Sequence, residues 1–306
     1  MTRQYEPIAV DVWRGPSVES RHQVVAGVVD ERGVKVARYG DAGFSTYWRS
    51  SAKPFQARPW VDGGTIDHFG WGDEETAMMC ASHVGAPLHA DLVRRMLADI
   101  GLSEDDLRCD HVLKARHNCS GNHTGMLAAC VHRGWDVATY QRPEHPAQVA
   151  GLDSVAEATG IAAADIPCGV DGCGIPVYST PVTAMAQAFA RLPRLAPRIA
   201  AAMLAHPVLI EGDDEEDTVI MQAFPGVLSK GGAEGLCCAA LPAGGGIAVK
   251  ALDGGSRASG PALIALLVRH LGLSDVPDGA RRRGQPPVIN AAGDVVGELV
   301  ASLPRG

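Results

Sequence analysis

The sequence predicts an α+β fold: one antiparallel sheet built from both chain ends, at about 7–39 and 218–303, beside a helical block at about 50–206. Three observations predict it. Strand-like runs cluster at the two ends. Apolar residues in the middle recur every three to four positions. No linker, internal repeat or low-complexity segment divides the chain, so 1–306 reads as a single domain. At 306 residues and 46% hydrophobic, the chain carries enough apolar surface for a substantial core.

Residues 7–39 read as a meander. Ile8-Ala9-Val10-Asp11-Val12-Trp13 and the run from His22 to Val29 are apolar and β-branched. Asp30-Glu31-Arg32-Gly33 is turn chemistry, and Val34 to Tyr39 alternates with period two. A helix is expected from Ser50 to about Val61, with Pro54 tolerated in its first turn. Leu88, Leu92, Met96 and Ile100 recur every four residues until Gly101 stops them. Further helices are expected at 121–131, 146–159, 181–190 and 195–205. Strands follow at 218–223, 226–230, 235–241 and 246–252. Ser259-Gly260-Pro261 opens a helix to about Leu271, and 287–291 with 295–302 form a closing hairpin around Gly293-Asp294.

Composition excludes several classes. A net charge of −8 argues against a nucleic-acid or anionic-membrane surface. Arg281-Arg282-Arg283, between two glycines, and the acidic run from Glu211 to Asp217 both read as solvated loops. Met1 to Glu6 have no apolar run behind them, so no secretory signal is expected, and no stretch of 18 apolar residues suggests a membrane span. Eight cysteines in that setting read as reduced thiols, which places the protein in the cytoplasm. Lysine is scarce, 5 residues against 22 arginines, so each lysine invites a question.

The most informative stretch is Arg49-Ser50-Ser51-Ala52-Lys53-Pro54-Phe55-Gln56. A serine hydroxyl needs a nearby group to take its proton, and a lysine three residues on lies on the same helix face. Ser50 is therefore a candidate nucleophile and Lys53 its base. The spacing alone does not decide it: 15 serines and 5 lysines supply roughly a quarter of such a match by chance. An N-capping serine followed by a solvated lysine reads the same. Other polar turns add to it. Ser82, in Cys80-Ala81-Ser82-His83-Val84-Gly85, is placed to donate to the nucleophile or to end a turn. His117-Asn118-Cys119-Ser120-Gly121-Asn122-His123-Thr124-Gly125-Met126 opens a helix, where backbone N–H groups suit a substrate carboxylate. Asp171, in Gly169-Val170-Asp171-Gly172-Cys173-Gly174-Ile175-Pro176, is either an anchor for an ammonium or an Asx-turn. Lys230, followed by Gly231-Gly232, ends an expected strand and leaves room for a ligand. Ser-x-x-Lys with a later Lys-Gly strand follows the order of serine β-lactamases, although no Ser-Asp-Asn lies between them.

Together these stretches, with Lys230-Gly231-Gly232-Ala233-Glu234-Gly235, resemble the type II L-asparaginases of the rhizobial, thermolabile kind. The resemblance implies a fold similar to serine β-lactamases and glutaminases, and hydrolysis of L-asparagine to L-aspartate and ammonia. It implies Ser50 as nucleophile, Lys53 as its base, Ser82 with Lys230 as a second Ser–Lys pair, and Asp171 as a substrate-binding acid. Arg49, His123 and Asn122 would lie beside the substrate. A homodimer is implied as well, and no cofactor is expected to be required. A related glutaminase or amidase, or an inactive amino-acid-binding protein, is the alternative. The family pattern has a lysine where this chain has Asn122, and that lysine binds zinc with the residues matching Cys119 and Cys173. Two thiols without a third strong ligand make a poor zinc site unless His117 or His123 substitutes, so metal is expected to be weak or absent.

Overall fold

The computed structural model describes residues 5–304. The strands are β1 (Ile8–Arg14), β2 (Ser17–Val29), β3 (Lys35–Tyr39), β4 (Ser45–Tyr47), β5 (Cys168–Val170), β6 (Pro176–Pro181), β7 (Leu228–Gly232), β8 (Leu236–Ala240), β9 (Gly246–Ala251), β10 (Pro287–Ile289) and β11 (Val295–Ser302). The helices are α1 (Lys53–Asp62), α2 (Thr65–Phe69), α3 (Asp73–Met79), α4 (Pro87–Asp99), α5 (Ser120–Arg133), α6 (Pro146–Thr159), α7 (Val182–Leu195), α8 (Pro197–Ala205), α9 (Pro207–Ile210), α10 (Glu216–Ala223), α11 (Ser259–His270) and α12 (Arg281–Gly284). By contact density the chain falls into two compact units. One holds the two chain ends and 181–191, and the other holds 47–180 and 192–218.

The first unit is a sheet in the order β10-β11-β1-β2-β9-β8-β7, antiparallel throughout. The chain ends pair directly, β1 against β11, as expected from the strand runs at both termini. β2 is 13 residues long, so one of its edges serves two strands: Val24 faces Ile8 of β1 and Val28 faces Ala37 of β3. Alternate residues of β2, β8 and β9, including Val24, Val28, Ala239, Ile247 and Val249, bury against Leu263, Leu266 and Leu267 of α11. The other face is lined by small residues and takes the start of α7. A Cβ on Gly27 would lie 3.0 Å from Thr183 Cγ2, and one on Gly246 would lie 2.1 Å from the Ala186 carbonyl oxygen. Both faces are thus covered, which is why Val24 to Val29 are buried without interruption.

The second unit is helical, with the β5–β6 hairpin added to it. α1 packs on α5 and α6, and α3 packs on α5 and α8. α4 follows the expected period, burying Leu92 and Met96 on one face. Gly121 and Gly125 form a one-turn stripe on α5 that meets Met78 and Met79 of α3 at close range. Among the described residues, no helix is long and apolar enough to cross a membrane.

Several expectations change. Residues 218–223 are not a strand but most of α10. Thr218-Val219-Ile220-Met221 is too short an apolar run to reveal its period, and the core takes Ile220 and Phe224, one helical turn apart. The block at 50–206 is not wholly helical, since it contains β5 and β6. Lys230 stands in mid-strand: Gly231 and Gly232 continue β7 opposite Cys237 and Leu236. Arg281-Arg282-Arg283 form the short helix α12 rather than a loop, with Arg281 paired to Asp275 and Asp278. The acidic run is not all surface. Asp217 is fully buried, and its backbone N–H donates to the Glu211 carboxylate at 2.7 Å.

Candidate active site

Ser50 sits in a single 3-10 turn, Arg49–Ala52, that leads into α1 at Lys53. Pro54 fits because the first turn of a helix needs no backbone N–H there. Trp48 holds the turn. Its backbone N–H donates to the Tyr178 carbonyl at 2.9 Å, its indole N–H to Thr180 Oγ1 at 2.9 Å, and its ring meets Phe55 edge-on at 5.4 Å. Arg49 adopts φ = 48°, a conformation that costs a non-glycine residue about 1–3 kcal/mol. The Arg49 side chain donates to Asp171 Oδ1 at 2.9 Å, and the Gly172 N–H donates to the same oxygen at 2.6 Å. Asp171 is thus both a turn residue and one half of an ion pair.

Three segments converge on this turn. Ser82 Oγ donates to Ser50 Oγ at 3.1 Å, and Asn118 Nδ2 donates to Ser82 Oγ at 3.3 Å. The Ser82 backbone is fixed by its N–H to the Ile210 carbonyl at 2.7 Å. Lys53 is 3% exposed, and its Nζ faces three acceptors: Ala81 O at 2.8 Å, Asn118 O at 3.5 Å and Cys119 Sγ at 3.3 Å. Gly85, at φ = 72°, lets the 82–85 turn close on the 114–118 turn, where a Cβ would lie 2.3 Å from the Arg116 carbonyl oxygen.

Two buried histidines support this arrangement as neutral rings. Ser120 Oγ donates to Ala115 O at 2.8 Å, so it accepts from His83 Nε2 at 3.0 Å, while His83 Nδ1 accepts from Gly85 N–H at 3.1 Å. Burial and the neighbouring His89 push the His83 pKa down to about 3. Tyr140 Oη accepts from Arg108 N–H at 3.0 Å, which leaves its own proton for His123 Nδ1 at 2.6 Å. His123 Nε2 then carries the ring proton, with no hydrogen-bond partner among the described residues. Complete burial pushes the His123 pKa down to about 4. Each ring is ordinary in the unfolded chain, near 6.5, and depressed in the folded one. Their neutral burial therefore costs nothing above pH 6.5 and destabilises as pH falls towards 4, by about 1.4 kcal/mol per pH unit for each histidine. Denaturant midpoints should fall steeply between pH 6.5 and 4.5, and a flat profile would contradict the neutral burial of these rings.

The family model for L-asparaginase II matches residues 10–301. The chain belongs to the L-asparaginase II family. Membership supports amidohydrolase chemistry in general. A crystal structure of a Bacillus glutaminase in 4.3 M NaCl is similar at 15% identity, over 82% of this chain and 92% of that one, with a TM-score of 0.37. No curated protein sequence matches the chain.

The two thiols named from sequence, Cys119 and Cys173, meet in this L-asparaginase II chain. The Cys173 thiol hydrogen-bonds the Cys119 sulfur. With the Lys53 charge and His117 nearby, this holds Cys119 well below the ordinary thiol range despite burial, while Cys173 is pushed up. His117, bonded to Cys109 and Cys119, is raised to about 10. Asn122 is buried and gives its Nδ2 to Met79 O at 3.0 Å, so it pins α5 to α3. Among the described residues, no group of three or more His, Cys, Asp or Glu side chains is arranged to hold a metal ion.

Of the residues named from sequence, the helical unit holds Arg49, Ser50, Lys53, Ser82, Cys119, Asn122, His123, Asp171 and Cys173. Ser50 with Ser82, Lys53 with Cys119, and Arg49 with Asp171 are in direct contact. Lys230 belongs to the sheet unit, where it is buried and its Nζ donates to Gly231 O at 3.2 Å. Sequence reasoning did not single out Asn118, Cys109 or Tyr140. Asn118 does lie inside the polar segment opening α5, but nothing local distinguishes it from its neighbours there.

Proposed function

We propose that the chain hydrolyses the side-chain amide of L-asparagine to L-aspartate and ammonia, with Ser50 as nucleophile. The observation that carries this is the hydrogen bond from Ser82 to Ser50 Oγ, beside a buried lysine on the adjoining Ala81 carbonyl. Ser50 Oγ attacks the amide carbon and its proton passes to Lys53, which acts as base when neutral. Ammonia leaves with a returned proton, and water cleaves the resulting ester. Arg49 has guanidinium nitrogens beyond the Nε given to Asp171, which suit a substrate carboxylate, and Asp171 suits its ammonium. A homodimer, which rests on the family resemblance, and cytoplasmic residence, which rests on reading the cysteines as reduced thiols, belong to the same reading.

Glutamine is one methylene longer, a difference worth only about 1–3 kcal/mol of discrimination. Ammonia release from both amino acids, with and without added zinc, tests the reading beside Ser50→Ala. Asparagine-selective release, lost in Ser50→Ala and unchanged by zinc, is expected. Turnover surviving in Ser50→Ala would refute the nucleophile, and a substrate shift in melting temperature without product would favour a binding protein.

A further inference from the structure

Asn118 stands behind the two serines. The fold brings it to Ser82 across 36 residues of sequence, a Ser/Asn juxtaposition for which the chain has no contiguous motif. A hydroxyl has one proton to give. The Asn118 N–H occupies a lone pair of Ser82 Oγ at 3.3 Å, and the Ser82 proton points at Ser50 Oγ, 3.1 Å away. Ser50 is then an acceptor, and its own proton stays free to be taken. The Asn118 backbone is held for this purpose: its carbonyl accepts the His83 N–H at 3.2 Å and lies 3.5 Å from Lys53 Nζ. Its Nδ2 lies 3.3 Å from Ser82 Oγ. Asn118 is exposed, so this network rather than core packing orients its amide.

We propose that Asn118 is a positioning residue that sets the direction of the Ser82–Ser50 hydrogen bond. The inference rests on the reading of Ser50 as nucleophile. A donor at 118 keeps Ser82 donating to Ser50. An acceptor there draws the Ser82 proton away and leaves Ser50 to donate its own proton to Ser82.

The test is kcat and KM for asparagine hydrolysis by the full chain, for wild type, Asn118→Ala, Asn118→Asp and Ser50→Ala. Asn118→Ala should lower kcat about 10- to 100-fold with KM little changed. Asn118→Asp has nearly the same shape but accepts where asparagine donates, and it should lower kcat further than Asn118→Ala. Both should melt near the wild-type temperature, since the side chain is exposed. A merely structural asparagine predicts the opposite order, with the isosteric aspartate the milder change. That order, or a loss confined to KM, would overturn the inference while an inactive Ser50→Ala leaves the nucleophile standing. An active Ser50→Ala would remove both.

Discussion

Lys53→Met lowers kcat for amide hydrolysis by at least about 10³-fold, the upper part of the range for a lost general base. The lysine is 3% exposed and is held by Ala81 O, Asn118 O and Cys119 Sγ, so its ammonium form is well supplied with acceptors. Methionine keeps the length of the chain but removes both the base and the charge. Lys53→Arg separates these two roles. Arginine preserves the charge facing Cys119 yet does not deprotonate in a protein, so it keeps the electrostatics without the base. Both variants should be inactive if Lys53 takes the Ser50 proton. Substantial turnover in Lys53→Arg would mean that the lysine serves only to place positive charge. Circular dichroism and melting temperature, recorded with the rates, show whether either variant has lost the fold instead.

Gly121→Ala should destabilise the protein by about 1–3 kcal/mol, even though alanine is the better helix former by about 1 kcal/mol. A Cβ at Gly121 would lie 2.3 Å from the Met78 carbonyl oxygen, which is backbone and cannot rotate away. α5 would have to draw back from α3 and carry Asn118 and Cys119 with its N-terminus. Gly125 is the internal control. Its added Cβ would meet Met79 Cγ at 2.7 Å, the side chain of a flexible methionine that can adapt. Gly125→Ala should therefore cost clearly less, and activity should fall more in Gly121→Ala. Equal midpoints in urea for the two variants would mean that the α3–α5 contact is looser than these distances imply.

Elements were legible where a period had room to repeat. Leu88, Leu92 and Met96 announced α4, and the strands near both termini announced a sheet closed by pairing β1 with β11. Residues 218–223 were not legible, because six residues rich in β-branched types suit either period. Only the position of Ile220 and Phe224 in the core selects the helix. Ser50, Lys53 and Ser82 were legible as motifs, since small polar residues beside glycines and a scarce lysine stand out locally. Asn118 was not, because its role is a hydrogen bond to a residue 36 positions away. Asn122 was visible in sequence as a departure from the pattern that the resemblance implies, but the buried bond to Met79 that gives the amide its place was not.

The sequence by itself determined the fold class, the family and the reactive groups available, because each depends on residue identity and on spacing within a turn or two of chain. The tertiary structure alone decided which groups touch. It put Ser82 on Ser50, Lys53 on Cys119 and Arg49 on Asp171, pairs separated by 32, 66 and 122 residues. It also decided which histidines are neutral. Contact and desolvation are set by how segments pack, and packing brings together residues whose separation along the chain carries no local pattern.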